Sequence, residues 1–179
     1  MLPRLVIAGA IGSLLLMTAM AEPKPLPRLS STRWNAVLDR IRSADRAELF
    51  FLPWENSIVA RPLDSAEYGA RCLITDRADV GKLVAIASRL KISREEWGSF
   101  ESVLEIRFLK GDRLLSKMMF AQTGGRDAQN ELITDALVDG RPVELYKFAV
   151  DDILAFAQTR TSGESKGQGC AEFVERNKP

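Results

Sequence analysis

Two turn dipeptides in the second half of the chain, Gly111-Asp112 and Asp139-Gly140, each stand between runs of strand-forming residues. They commit this region to antiparallel hairpins, because a tight turn leaves the two flanking strands no other way to pair. The first hairpin joins residues 103–109 to 113–121, and the second joins 132–138 to 141–148. Asp139-Gly140 suits the positive φ angles of a type I′ turn, which places Asp135 directly opposite Glu144. Pro142 has no N–H to give a ladder, so its strand belongs at a sheet edge or begins with a bulge.

The first hairpin admits two registers. A two-residue loop puts Glu105 opposite Met118, and a three-residue loop puts it opposite Lys117. The second is preferred: it makes an opposite-charge cross-strand pair and collects Leu104, Ile106, Phe108, Leu114, Met118 and Phe120 on one face.

Ahead of the hairpins the apolar period is helical. Trp34, Val37, Leu38 and Ile41 recur at i, i+3, i+4 and i+7 behind Ser30-Ser31-Thr32, any of which can cap a helix over 33–43. Val80, Leu83, Val84, Ala87 and Leu90 make a second stripe behind Asp76 or Asp79. The apolar run Leu49-Phe50-Phe51-Leu52, stopped by Pro53, reads as a strand, and Cys72 to Thr75 as a shorter one. A last helix opens at Asp151 or Asp152, with Ile153, Leu154, Phe156 and Ala157 on its apolar side. The order predicts an α+β domain over residues 31–158, with a mainly antiparallel sheet of four to six strands and two or three helices packed on one face. Residues 159–179 are expected to form a flexible tail tethered through Cys170.

The N-terminus bears on compartment. Arg4, an apolar run from Leu5 to Met17, and small residues at Ala19 and Ala21 meet the requirements of a secretory signal spanning residues 1–21, cut before Glu22. The run is shorter than the about 20 apolar residues a membrane-spanning helix needs. Pro23, Pro25 and Pro27 make residues 22–30 a Pro-rich, extended spacer. The chain holds 25 basic and 24 acidic residues, and Arg4 is the one charge ahead of Glu22, so the remainder balances. That balance gives no electrostatic reason to bind nucleic acid or anionic lipid.

Cys72 and Cys170 are the only cysteines. After export two thiols are most simply one disulfide, the alternative being free or intermolecular thiols. Closing a loop of about 100 residues contributes up to about 4.7 kcal/mol on the chain-entropy view.

There is no histidine, which excludes Ser-His-Asp and Cys-His catalysis and removes the commonest zinc ligand. Asp135 with Glu144 is the least poor acid pair, although the favoured reading is that both point to water beside Arg141 and Lys147 or that a bulge at Pro142 shifts the register. Ser88-Arg89-Leu90-Lys91 meets the bare S-x-x-K pattern but ends a helix rather than opening one. Gly124-Gly125 is too short to cradle a phosphate, and Asp64, Asp76 and Asp79 lack calcium-loop spacing, so no cofactor or metal is expected.

What remains is a surface. Trp54, Glu55, Arg61, Tyr68 and Arg71 combine residue types enriched at binding hot spots, though Trp54 can also close the core beside Phe50 and Leu52. Trp97 is a weaker instance. The expectation is a small periplasmic or secreted envelope protein that binds another envelope or secreted protein, as inhibitor, immunity factor or accessory subunit. A histidine-free hydrolase and a structural envelope component are the alternatives.

Overall fold

A computed structural model of the chain describes residues 27–51, 70–92, 102–121, 126, 130, 133–146, 148–161 and 169–176. The proposed signal, most of the spacer, Trp54, Glu55, Arg61, Tyr68, Trp97 and Gly124-Gly125 lie outside them. The elements run α1 (Ser31–Ile41), β1 (Arg46–Phe51), β2 (Arg71–Ile74), α2 (Arg77–Ser88), β3 (Ser102–Lys110), β4 (Arg113–Ala121), β5 (Ile133–Val138), β6 (Arg141–Tyr146), α3 (Phe148–Gln158) and α4 (Cys170–Arg176). Among the described residues six strands form one sheet in the order β2-β1-β3-β4-β5-β6, with each of these pairings antiparallel. The fold is α+β.

The helices start where polar caps allow. The Ser30 hydroxyl accepts from the Arg33 N–H, and the Asp76 carboxylate accepts from the Asp79 N–H at 2.9 Å. Behind these caps Trp34, Val37, Leu38 and Ile41 of α1 are buried, as are Val80, Leu83, Ile86 and Ala87 of α2. α3 begins at Phe148, three residues ahead of the acids expected to open it, so Asp151 lies in its first turn, where a negative charge favours the positive pole of the helix dipole.

Strand alternation sorts the sheet into two sets of side chains. Ala47, Leu49, Cys72, Ile74, Leu104, Ile106, Phe108, Met118, Phe120, Ala136, Val138, Val143 and Leu145 join the apolar stripes of the four helices in a single hydrophobic cluster. The opposite set holds Glu48, Phe50, Arg71, Glu105, Arg107, Met119, Asp135 and Glu144, as the cross-strand register requires.

The first hairpin corrects the expected register. The loop is the two-residue one, with Lys110 opposite Arg113 and Leu109 opposite Leu114, and a bulge then leaves Leu115 without a partner before Phe108 meets Ser116. Glu105 faces Met119, and Lys117 faces Arg107. The bulge is what reconciles a tight turn with apolar alternation: without the extra residue, Ile106 would lie opposite Lys117. It also exchanges two leucines, since Leu115 is buried and Leu114 is exposed.

The second hairpin follows the type I′ reading, with φ 50° at Asp139 and 75° at Gly140 and Asp135 opposite Glu144. The Asp139 carboxylate accepts from the Ser116 hydroxyl and the Lys117 N–H, both at 2.9 Å, and pairs with Arg40 at the end of α1. Pro142 lies in the edge strand β6, as its missing N–H demands. Its carbonyl accepts from the Leu29 N–H at 3.0 Å, and Ile92 bridges to Leu145. This edge is therefore partly covered by the chain itself.

Two further differences concern the ends of elements. β1 opens at Arg46, before the apolar run at Leu49, because Ala47 continues the buried alternation. The stretch read as a tail contains α4, a fourth helix, in which Cys170 and Phe173 are completely buried. Cys170 is bonded to Cys72 of β2.

Candidate functional site

The face away from the hydrophobic cluster carries charge where strands β2, β1 and β3 meet. Arg71 lies opposite Phe50, and Phe50 lies opposite Glu105; one residue pair along, Leu73, Glu48 and Arg107 form a second row. The two rows interlock through their side chains. Arg71 Nη2 donates to Glu48 Oε1 at 2.5 Å, and Arg107 Nε donates to Glu105 Oε1 two residues away on its own strand. Both guanidinium groups also approach the Phe50 ring, with Arg107 Cζ 4.6 Å and Arg71 Cζ 6.0 Å from its centroid. A cation at such distances is attracted to the negative face of the ring, and more strongly as water is excluded.

Burial within this cluster is graded. Glu105 is fully buried and the Glu48 side chain is 9% exposed, whereas the Arg71 side chain is 50% exposed. Arg46 adds a longer contact to Glu48, 3.7 Å, and another of the same length to the exposed Asp112. The second oxygen of Glu105 has no hydrogen-bond partner among the described residues. A buried carboxylate is costly unless paired, so Arg107 is the group that makes Glu105 tolerable there.

Of the surface expected from sequence, Arg71 falls in this cluster, and the other four residues lie outside the described ones. Glu48, Phe50, Glu105 and Arg107 were not recognised as its partners. The signal was present as alternation: Glu48 and Phe50 flank Leu49, and Glu105 and Arg107 flank Ile106, so each strand offers charge or an aromatic ring to the face its aliphatic residues avoid.

The other candidates resolve differently. Asp135 and Glu144 are cross-strand neighbours, and Arg28 lies 3.7 Å from Glu144, which is 1% exposed. Ser88 donates its hydroxyl to the Val84 carbonyl at 2.8 Å, within its own helix. Asp79 is a connector: it binds Lys82 and Arg160, each at 2.9 Å, linking α2 to the residues after α3. Among the described residues no group of three or more His, Cys, Asp or Glu is placed to hold a metal. None of the described helices is long and apolar enough to cross a membrane.

Compared with protein-family profiles, with curated proteins and with solved structures, the chain finds no match. Its function must be read from its own residues.

Proposed function

We propose that this is a small exported envelope protein that acts as a protein-binding module, an inhibitor, immunity factor or accessory subunit, through the surface around Arg71. The observation that carries the reading is the setting of that one side chain. Arg71 stands half-exposed on an edge strand, with its guanidinium held by Glu48 and over the ring of Phe50. Arginine and aromatic residues dominate binding hot spots, and an arginine already fixed in place loses less rotamer freedom when a partner docks. Trp54, Glu55, Arg61 and Tyr68 join the reading by residue type alone.

Export is supported by the signal-like N-terminus and by the disulfide, since such bonds persist mainly in oxidising compartments. Intact mass of protein recovered from its native cell tests it. The expected species starts at Glu22 with no free thiol; a chain starting at Met1 with both thiols free would refute export.

Binding is tested by affinity capture from envelope extract with the oxidised mature chain and its Arg71→Glu variant. Reversing this charge places a second carboxylate beside that of Glu48, and loss of a hot spot worth about 2 kcal/mol or more lowers affinity at least about thirtyfold. A partner retained equally by both chains would remove Arg71 from the interface. Retention of no partner by either would remove the binding function.

A second reading draws on the Asp135–Glu144 neighbourhood, a hydrolase in which two facing carboxylates share the acid and base roles. Converting both to amides abolishes any hydrolysis that depends on them. Unchanged turnover would dismiss this reading.

A further inference from the structure

The disulfide and the candidate surface occupy the same corner of the fold. Cys72 follows Arg71 directly in β2, and Cys170 follows Gly169 at the start of α4. Gly169 adopts φ +77° and lies so near the Arg71 carbonyl that a β-carbon would come within 2.0 Å of its oxygen. The backbone of the surface arginine is thus packed against the residue that introduces the second cysteine.

Both elements joined by the bond are weak on their own. α4 has seven residues, well below the about 12–15 at which isolated helices become marginal in water. Its fully buried side chains are Cys170 and Phe173, with Val174 partly buried against the core, so a small apolar set beside the sulfur bridge opposes the ordering entropy of the segment. β2 has four residues, and among the described strands it pairs with β1 alone.

We propose that closure of the Cys72–Cys170 bond is the step that docks α4 on β2 and holds Arg71 against Glu48 and Phe50, so that the binding surface exists in the oxidised chain and is dismantled in the reduced one. The last clause rests on the binding function proposed above; the structural step does not. Closure removes two protons and two electrons from the thiols. One cysteine thiolate attacks a sulfur of a disulfide-bearing oxidant, forming a mixed disulfide, and the second cysteine displaces the oxidant as its dithiol. Both sulfurs belong to fully buried residues, so attack by a reductant requires α4 to open first.

Hydrogen exchange of the oxidised chain, the reduced chain and the Cys72→Ala/Cys170→Ala variant tests this without any partner. In both forms that lack the bond, amides of 71–74 and 170–176 are expected to accelerate by a factor at least about tenfold greater than those of 104–109 and 115–120, which report global unfolding. Nuclear Overhauser contacts between the Arg71 side chain and the Phe50 ring should disappear in the same two forms. Uniform acceleration across all strands would make the bond a global staple and overturn the proposal, as would unchanged exchange at 71–74 and 170–176. Failure to capture a partner would remove the binding function and leave this exchange pattern to be judged separately.

Discussion

Gly169 and Arg71 meet backbone to backbone, with no room between them for a β-carbon: an ideal one built on Gly169 lies 2.0 Å from the Arg71 oxygen. The contact connects the last helix to the edge strand next to the disulfide, and it can be made only by glycine at a φ of +77°.

Replacing this glycine by alanine adds a left-handed backbone penalty of about 1–2 kcal/mol to a clash with main-chain atoms that cannot rotate away. Gly169→Ala should therefore destabilise by at least about 2 kcal/mol. Gly111 also has positive φ, +56°, but open space around it, so Gly111→Ala should carry the backbone penalty alone. Denaturant melts of the two variants give the comparison, and equal losses would show that close approach at Gly169 adds nothing.

Asp139 combines a left-handed backbone with a carboxylate that accepts from Ser116 and Lys117 and pairs with Arg40. Asp139→Asn keeps a residue tolerant of that conformation and an acceptor oxygen, and should cost about 0.5–1 kcal/mol, mostly from the partly exposed ion pair. Asp139→Ala removes every one of these contacts and strains the turn, so about 2–3 kcal/mol is expected. Thermal unfolding distinguishes the two.

Arg107 compensates the fully buried Glu105. Arg107→Ala leaves that carboxylate buried without its guanidinium and should cost about 3–5 kcal/mol. Adding Glu105→Leu to that variant should restore much of the loss, because a leucine there needs no partner. A double-mutant cycle reads the coupling directly, and additive losses would contradict it.

Much of this architecture is legible from local rules. The α1 stripe from Trp34 to Ile41, the Asp76 cap, the Asp139-Gly140 turn and the edge position of Pro142 each follow from a short window of residues. The register of the first hairpin does not, because the bulge at Leu115 wins through burial against distant helices, a contest that neighbouring residues do not reveal. α4 escaped notice for a related reason: a seven-residue helix has too little period to recognise, and its place depends on Cys72, far away in sequence. The candidate site was half visible. Arg71 drew attention by residue type, but its partners Glu48 and Phe50 sit in a stretch whose apolar neighbours read as core, and only the pairing of β1 with β2 and β3 brings them to one face.

Site-specific photo-crosslinking in living cells tests partner engagement at this surface most directly. A photoreactive amino acid is placed at Leu73, beside Glu48 on the charged face of β2, and separately at Ala85, exposed on α2. The Leu73 probe should yield one discrete protein adduct that is lost on adding Arg71→Glu, and the Ala85 probe should yield none. No adduct at Leu73, or the same adduct from both positions, would contradict the assignment of this face as the binding surface.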